Sequence, residues 1–511
     1  MKFTGILAPP GGDAGTELSL DAAPFVTDLR LDQVITAVIS GKEEYELAPF
    51  FCRPLRQVES VTYRQDVMRD LETGHLLDDV TAFAAGMRAM RAHLAQAESG
   101  RYDLQKDRWF LDAAVLYGNA VNRLLGDLAA VPPRSRGLVD FKAWLTAYVA
   151  SDRFASFFAR ATSLQAEMAG VRYGVLIRQR RVDVRRYAGE PDYSSEIKTA
   201  FERFKQVDSQ QYNFAVGEEL DLNHVEARIL TGVAELFSDI FSRVRSFKEA
   251  EAGFVDDAIV RFDREIQFYV SYLEYIAPLR KLGLSFCYPD VSETSKEVSS
   301  RQSFDLALAG KLAAEGTAPV CNDFHLQDPE RILVVSGPNQ GGKTTFARAF
   351  AQLHYLASLG CPVPGSAARL YVPDRIFTHF EKEEFLEDLR GKLEDDVVRI
   401  HRILENATPK SVIVVNEIFS STALRDATAL SERIATAIAR LDALCVWVTF
   451  IDEIGALNEK TVSVVSTVEP DEPTHRTFKL VRRPADGLAY AMSIAERHGL
   501  TYDRLQERLR S

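Results

Sequence analysis

From Val26 to about Ala169 apolar residues recur at steps of three and four with few Gly or Pro, a spacing that predicts helices. The stretch Val131-Pro-Pro-Arg-Ser-Arg-Gly137 interrupts that pattern and reads as a break between helices. Between Tyr173 and Tyr187 the period changes to two, carried by Val175 and Ile177 and then by Val182 and Val184, which predicts the two strands of a hairpin. Helical spacing returns near Ser194 and runs to about Leu279, and it is long and amphipathic from Asn223 to Tyr275. Leu282 to Val320 is a looser mixture. From Arg331 onward the short apolar runs Ile332–Val335, Val412–Val415 and Leu444–Thr449 are separated by helical sequence. That alternation predicts a buried, mostly parallel sheet flanked by helices. Residues 1–24, rich in Gly, Pro and Ala, read as an irregular lead-in. The expected fold class is therefore α + α/β, with a helical part over 25–300 and an α/β part over 301–511.

Composition narrows the partners. The 511 residues are 46% hydrophobic and 26% charged, the balance of a globular chain able to bury a core. The formal net charge of -12 provides no global positive field, so a nucleic acid partner needs a local basic surface. Cys52, Cys287, Cys321, Cys361 and Cys445 are scattered, without a CxxC pair, which argues against a zinc site or a disulfide framework and for a reducing compartment. The N-terminal apolar run is too short for a signal peptide, and no stretch approaches the roughly 20 apolar residues of a membrane span. A cytoplasmic protein with no membrane contact is the expectation.

Two short segments carry chemistry. Gly337-Pro338-Asn339-Gln340-Gly341-Gly342-Lys343-Thr344 satisfies GxxxxGK[ST] in full, between an apolar strand and a helix that continues through Thr345. Glycines let backbone N–H groups curl around phosphates, and the helix N-terminus adds its positive dipole end. Lys343 is expected to reach the β- and γ-phosphates of ATP, and the Thr344 hydroxyl to ligate Mg2+. Downstream, Val412-Ile-Val-Val-Asn416-Glu417 has the form of a strand ending in the paired polar positions of a Walker B segment. The first position holds Mg2+ through water, and here it is the amide Asn416, which brings no negative charge. Glu417 keeps the carboxylate that orients attacking water.

The run from about Asn322 to the C-terminus resembles the ATPase domain of the MutS family, within the wider ABC-ATPase class. The likeness lies in the GPNxxGK[ST] form of the loop, in Asn416-Glu417-Ile418 followed by Thr422 and Asp426, and in Pro373-Asp-Arg-Ile-Phe377. Ile403-Leu-Glu-Asn-Ala-Thr408 and the tail from Leu488 to Leu509 add to it. The transporter signature LSGG is absent. A weaker likeness reaches Phe50-Phe-Cys-Arg-Pro54-Leu and Tyr63-Arg-Gln-Asp66-Val, similar to the start of the family's helical core and lever. The resemblance implies an ATP- and Mg2+-dependent, DNA-binding ATPase of the mismatch-repair family that dimerises with itself through its ATPase domains. It also places Asp426 in a loop facing the partner.

The chain departs from the family pattern in three ways. Gly391-Lys392-Leu393 stands where the family has Ser-Thr-Phe, which removes a Ser contact to the partner's nucleotide and leaves Lys392 as a candidate cation across the interface. Thr449-Phe450 replaces Thr-His, so slower hydrolysis is expected; Asp452 and Glu453 beyond it read as partial substitutes for that histidine or, more simply, as helix-capping residues. No Phe-x-Glu wedge occurs in the first 150 or so residues, so mismatch reading by that route is not expected. A local basic surface exists in the hairpin, where Arg178, Arg180, Arg181, Arg185 and Arg186 lie between Tyr173 and Tyr187. It reads equally as a set of phosphate contacts and as a charge-guarded edge. The expected function is a slow ATP hydrolase acting on DNA. The alternatives are a nucleotide-gated scaffold with little turnover, or a relative that binds structured RNA or the ribosome.

Overall fold

The computed structural model describes residues 3–13, 15, 24–178, 181–189, 222, 224–381, 391–469 and 472–484. By contact the chain forms two compact units, one of residues 1–3, 73–133 and 139–263, the other of residues 4–72, 134–138 and 264–511. The contact pattern thus divides the chain elsewhere than at the expected line near residue 300. The first 72 residues, apart from the terminal three, cluster with the α/β part.

The first unit is helical. Leu76–Ser99 and Asp103–Ala130 lie side by side, and Asp152–Ala169 and Ser238–Ala250 pack on the second of them. Their apolar stripes supply an aromatic core in which Phe157 stacks on Phe254 at a centroid distance of 5.2 Å and Tyr117 meets both rings edge-on at 6.3 and 5.4 Å. Its polar atoms are paired: the Tyr117 and Tyr148 hydroxyls are 2.8 Å apart, and the Asp256 N–H donates to Tyr117 Oη. The predicted hairpin forms as β1 (Tyr173–Arg178) and β2 (Arg181–Arg186), antiparallel, with Val184 against Gly232 of the helix His224–Leu236. The long helical stretch after Asn223 forms three helices, His224–Leu236, Ser238–Ala250 and Asp257–Lys281. It breaks at Phe237 and again between Ala250 and Asp257.

The second unit is built around a six-stranded sheet. Among its smaller strands, β3 (Phe286–Cys287) pairs with β8 (Val363–Pro364). A four-stranded sheet takes the order β4 (Asp290–Ser292), β9 (Ala367–Tyr371), β5 (Val298–Ser303) and β6 (Asn322–Leu326). The main sheet comprises β7 (Ile332–Ser336), β10 (Ile376–His379), β11 (Val412–Asn416), β12 (Leu444–Val448), β13 (Thr461–Glu469) and β14 (Glu472–Arg482). Its order is β10-β11-β12-β7-β13-β14; all neighbours are parallel except the β13–β14 pair. The three runs that read as pure apolar strands, β7, β11 and β12, are the central ones, and every residue in them is buried. Strands covered on both faces lose the polar alternation of a one-sided sheet. One face packs Ile413, Val415 and Trp447 against the helices Lys392–Asn406 and Leu424–Leu441. The other carries the helix Lys343–Ser358, which is buried from Phe346 to its end.

Residues 3–13 form neither helix nor strand, yet they are held in place. Ile6 is fully buried, with its N–H donating to Glu265 Oε2 at 2.6 Å, and the buried Arg64 guanidinium donates to Leu7 O at 2.7 Å. Among the described residues, no helix is long and apolar enough to cross a membrane, and all five cysteines are free thiols.

Candidate functional site

The parallel order sets the site. β7 lies beside β12, and β12 beside β11, so the loop leaving β7 and the polar end of β11 emerge on the same edge of the sheet. Open parallel sheets bind ligands at the carboxyl ends of their strands, where the connecting loops gather.

The Gly337–Gly342 loop takes a backbone shape that most side chains resist. Gly337 and Gly342 have φ of 113° and 88°, and Gln340, between them, adopts φ 60°. Gly341 is confined for another reason: a Cβ there would stand 2.3 Å from Ser466 Oγ on β13, whose hydroxyl donates to Gly341 O at 2.7 Å. The loop is thus clamped by the neighbouring strand.

Lys343 opens the helix beneath the loop and is only 6% exposed. Its ammonium donates to Gly337 O at 2.9 Å, Pro338 O at 3.1 Å and Asn339 Oδ1 at 3.2 Å, and stands 3.8 Å from Glu417 Oε1. Burial pulls the Lys343 pKa below the ordinary lysine value, Glu417 opposes that pull, and Arg476 adds to it. Thr344 Oγ1 donates to Asn416 Oδ1 at 2.8 Å, joining the two sequence segments 72 residues apart. Thr345 lines the adjoining pocket.

That pocket, about 520 Å3, lies between the loop, the helix Leu306–Ala313 and β14. Leu308, Leu312, Val320 and Phe478 form its apolar wall, while Lys343 and Glu417 stand at its polar end. Phe478 is 46% exposed with φ 56°, a conformation in which a bulky residue is strained. Its carbonyl accepts from Asn322 Nδ2 at 3.0 Å. Beneath the wall, buried Asp305 accepts from Arg348 Nε at 2.7 Å and Gln352 Nε2 at 3.0 Å, which ties this wall to the Lys343 helix.

Ser466, Arg476, Phe478 and Asp305 were not found by sequence reasoning. Arg476 Nε donates to Asn339 O at 3.3 Å. These residues reach the loop only through strand pairing more than a hundred positions downstream or, for Asp305, through a helix start upstream. A local motif does not register such partners.

The other candidates fall apart from this cluster. Lys392, at the start of its helix, forms an ion pair with Glu381 of its own chain. Asp426 is exposed in the first turn of Leu424–Leu441, next to Leu424, which is 63% exposed. Phe450, after β12, is half exposed. In the hairpin, Arg186 is used locally: it donates to Leu236 O at 2.7 Å and covers the Phe237 ring at 4.9 Å. Arg185 is exposed. Arg178 pairs with Arg181 in the strand register, and Arg180 lies outside the described residues, as does the tail from Leu488. Among the described residues no cluster of three His, Cys, Asp or Glu side chains has the form of a metal site. A divalent ion here would depend on Thr344, Asn416 and the phosphates of a nucleotide.

The fold is a mixed helical and α/β one in which a mostly parallel sheet presents a GxxxxGK[ST] loop beside an Asn-Glu strand end. Residues 333–502 match MutS domain V. Over 275 residues the chain is 30% identical to the DNA mismatch repair protein MutS of Halalkalibacterium halodurans, which is 50% of this chain and 32% of that protein. Over this segment the chain is similar to the MutS family. It spans about a third of the length of that relative.

Proposed function

We propose that this chain binds ATP with Mg2+ at the Lys343 loop and hydrolyses it slowly, as an ABC-class P-loop ATPase. The observation that carries the reading is the direct contact between Thr344 and Asn416, 2.8 Å, with Lys343 and Glu417 beside it. Both contacting oxygens are neutral and hard, which suits Mg2+. Thr344 would bind the ion and Asn416 would hold one of its waters, the ion drawing charge from the β- and γ-phosphates. Lys343 exchanges its carbonyl partners for phosphate oxygens, the loop N–H groups cradle the phosphates, and the nucleoside fits against Leu308, Val320 and Phe478. Glu417 orients the attacking water. The name of the relative supports DNA as the partner and mismatch repair as the setting, and the family supports dimerisation through the ATPase units. Exposed Leu424 beside Asp426 agrees with such an interface.

The test is equilibrium ATP binding and phosphate release by wild type, Lys343→Ala and Glu417→Gln, with and without Mg2+. Binding that is lost in Lys343→Ala, and turnover that is lost in Glu417→Gln with binding intact, are expected. ATP affinity unchanged by Lys343→Ala would sink the reading.

A second reading, a nucleotide-gated scaffold, is favoured by one observation. The Asn416 amide supplies no charge to the ion and its oxygen already accepts from Thr344. Turnover no faster than that of Glu417→Gln selects it. Competition among mismatched duplex, branched DNA and structured RNA over a salt series then identifies the polymer.

A further inference from the structure

The turn that presents Glu417 is built from unfavourable backbone. Glu417 has φ 52° and Phe419 φ 63°, two non-glycine residues in the left-handed region within three positions. Such a turn persists only where its surroundings hold it. Three holds are present. The Glu417 N–H donates to Val448 O at 2.9 Å. Ile418 and Phe419 are buried in the core beneath the sheet. The Phe419 N–H donates to Asp396 Oδ2 at 3.2 Å.

The third hold comes from outside the sheet. Asp396 lies on the helix Lys392–Asn406 and is 6% exposed. A carboxylate taken out of water needs partners for both oxygens. Its second oxygen, Oδ1, lies 3.2 Å from His379 Nε2, at the end of β10, the strand paired with β11. His379 is 1% exposed, and among the described residues neither ring nitrogen has an in-line hydrogen bond. The same helix is tied to the end of β10 by Arg399, whose guanidinium donates to Phe380 O at 3.0 Å, and by the Lys392–Glu381 pair. One buried carboxylate therefore joins the end of β10, a helix and the turn that carries Glu417.

From this juxtaposition we infer that Asp396 is a positioning residue for Glu417, with His379 as its partner, so that the seating of the Lys392–Asn406 helix decides whether the Glu417 carboxylate is aligned. The inference rests on the reading that Glu417 orients water. Asp396 touches neither nucleotide nor water; it fixes the backbone from which Glu417 projects. Displacing the helix releases the Phe419 N–H and lets the turn relax toward ordinary backbone angles, swinging the carboxylate away from Lys343. ATP binding, which depends on the loop and Thr344, is left in place. Turnover is what the helix controls.

The test compares Asp396→Leu and Asp396→Asn with wild type and Glu417→Gln in the full chain. Asp396→Leu removes the acceptor while keeping the branched heavy-atom outline, and is expected to lower single-turnover phosphate release at least tenfold, with the ATP dissociation constant within twofold. Asp396→Asn keeps an acceptor for the Phe419 N–H and is expected to retain at least a third of the rate. Should Asp396→Leu not fold, Asp396→Ala takes its place with the same expectation. Release within twofold of wild type in the Leu or Ala variant, while Glu417→Gln is slow, overturns the inference. So does a loss of ATP affinity that matches the loss of rate. Hydrogen exchange of the peptide spanning 417–422 is a readout independent of hydrolysis. It is expected to quicken at least tenfold in Asp396→Leu and much less in Asp396→Asn. If Glu417→Gln hydrolyses as wild type does, the role of Glu417 fails. The exchange result then decides by itself whether Asp396 holds the turn.

Discussion

The Gly337–Thr344 segment and the Tyr173–Arg186 hairpin both carry cations, yet they hold those cations in different ways. Lys343 is 6% exposed, set by a helix start and ringed by three oxygen acceptors of its own loop. The hairpin is a two-stranded sheet whose Tyr173, Val175 and Val182 are 40–45% exposed, and its Arg186 serves a helix C-terminus. Burial in a sheet covered on both faces turns a short motif into a rigid site, because each loop residue is fixed by the strands beside it. On the hairpin, among the described residues, one strand neighbour and one helix do that work, so the count of arginines says little about what they touch. A buried cation in low dielectric also interacts more strongly with an incoming phosphate than an exposed one does.

The largest effect expected is at Lys343. Lys343→Ala should weaken ATP binding on the order of 100-fold, since charge-assisted hydrogen bonds are worth about 1.5–3 kcal/mol each; isothermal titration checks it. Loss of less than threefold would erase the contrast between the two turns. Next comes the clamp from β13. Gly341→Ala should cost roughly tenfold in ATP affinity, because its methyl group meets Ser466 Oγ at 2.3 Å and Ser466 Cβ at 3.2 Å. Adding Ser466→Gly should recover part of the loss, and a double-mutant cycle showing no coupling would refute the clamp.

A third test concerns the helix that carries Lys343. His354 lies fully buried on it, and burial lowers its pKa from 6.5 to about 4. Between those values the unfolded chain binds a proton that the folded chain does not, so stability rises with pH across that window. It falls as pH drops from 6.5 towards 4, by on the order of 2 kcal/mol in all. His354→Gln should flatten that part of the denaturation profile, and an unchanged slope between pH 6.5 and 4 would count against it.

The smallest effect is on the hairpin. Arg186→Ala should lower the stability of its own unit by about 1 kcal/mol through the lost carbonyl bond and ring contact. The salt dependence of polyanion binding should stay as it was. A shallower salt slope in that variant would return Arg186 to the set of phosphate contacts.

Much of the second unit was legible because its signals are local. Pure apolar runs marked β7, β11 and β12, and a strand-loop-helix motif marked the Lys343 site. The hairpin announced itself by a period of two. The two breaks of the chain after Asn223 were less legible, since the residues around Phe237 and 251–256 carry no Pro and the amphipathic spacing continues across them. The membership of residues 4–72 in the α/β unit was not legible either. It rests on long-range contacts such as Tyr355 Oη donating to Phe51 O at 2.7 Å and Gln352 Nε2 donating to Leu29 O at 2.8 Å.

By itself the sequence determined which segment carries the loop, which residues bear the amine, hydroxyl and carboxylate, and that the strands around them are buried. These follow from side-chain chemistry and period, which act over a few residues. Tertiary structure alone decided that Thr344 meets Asn416, that Ser466 closes on Gly341, and that Asp396 and His379 meet behind the Glu417 turn. Those contacts come from the order β10-β11-β12-β7-β13. Strand order is a global outcome of packing both faces of one sheet, and no window along the chain contains it.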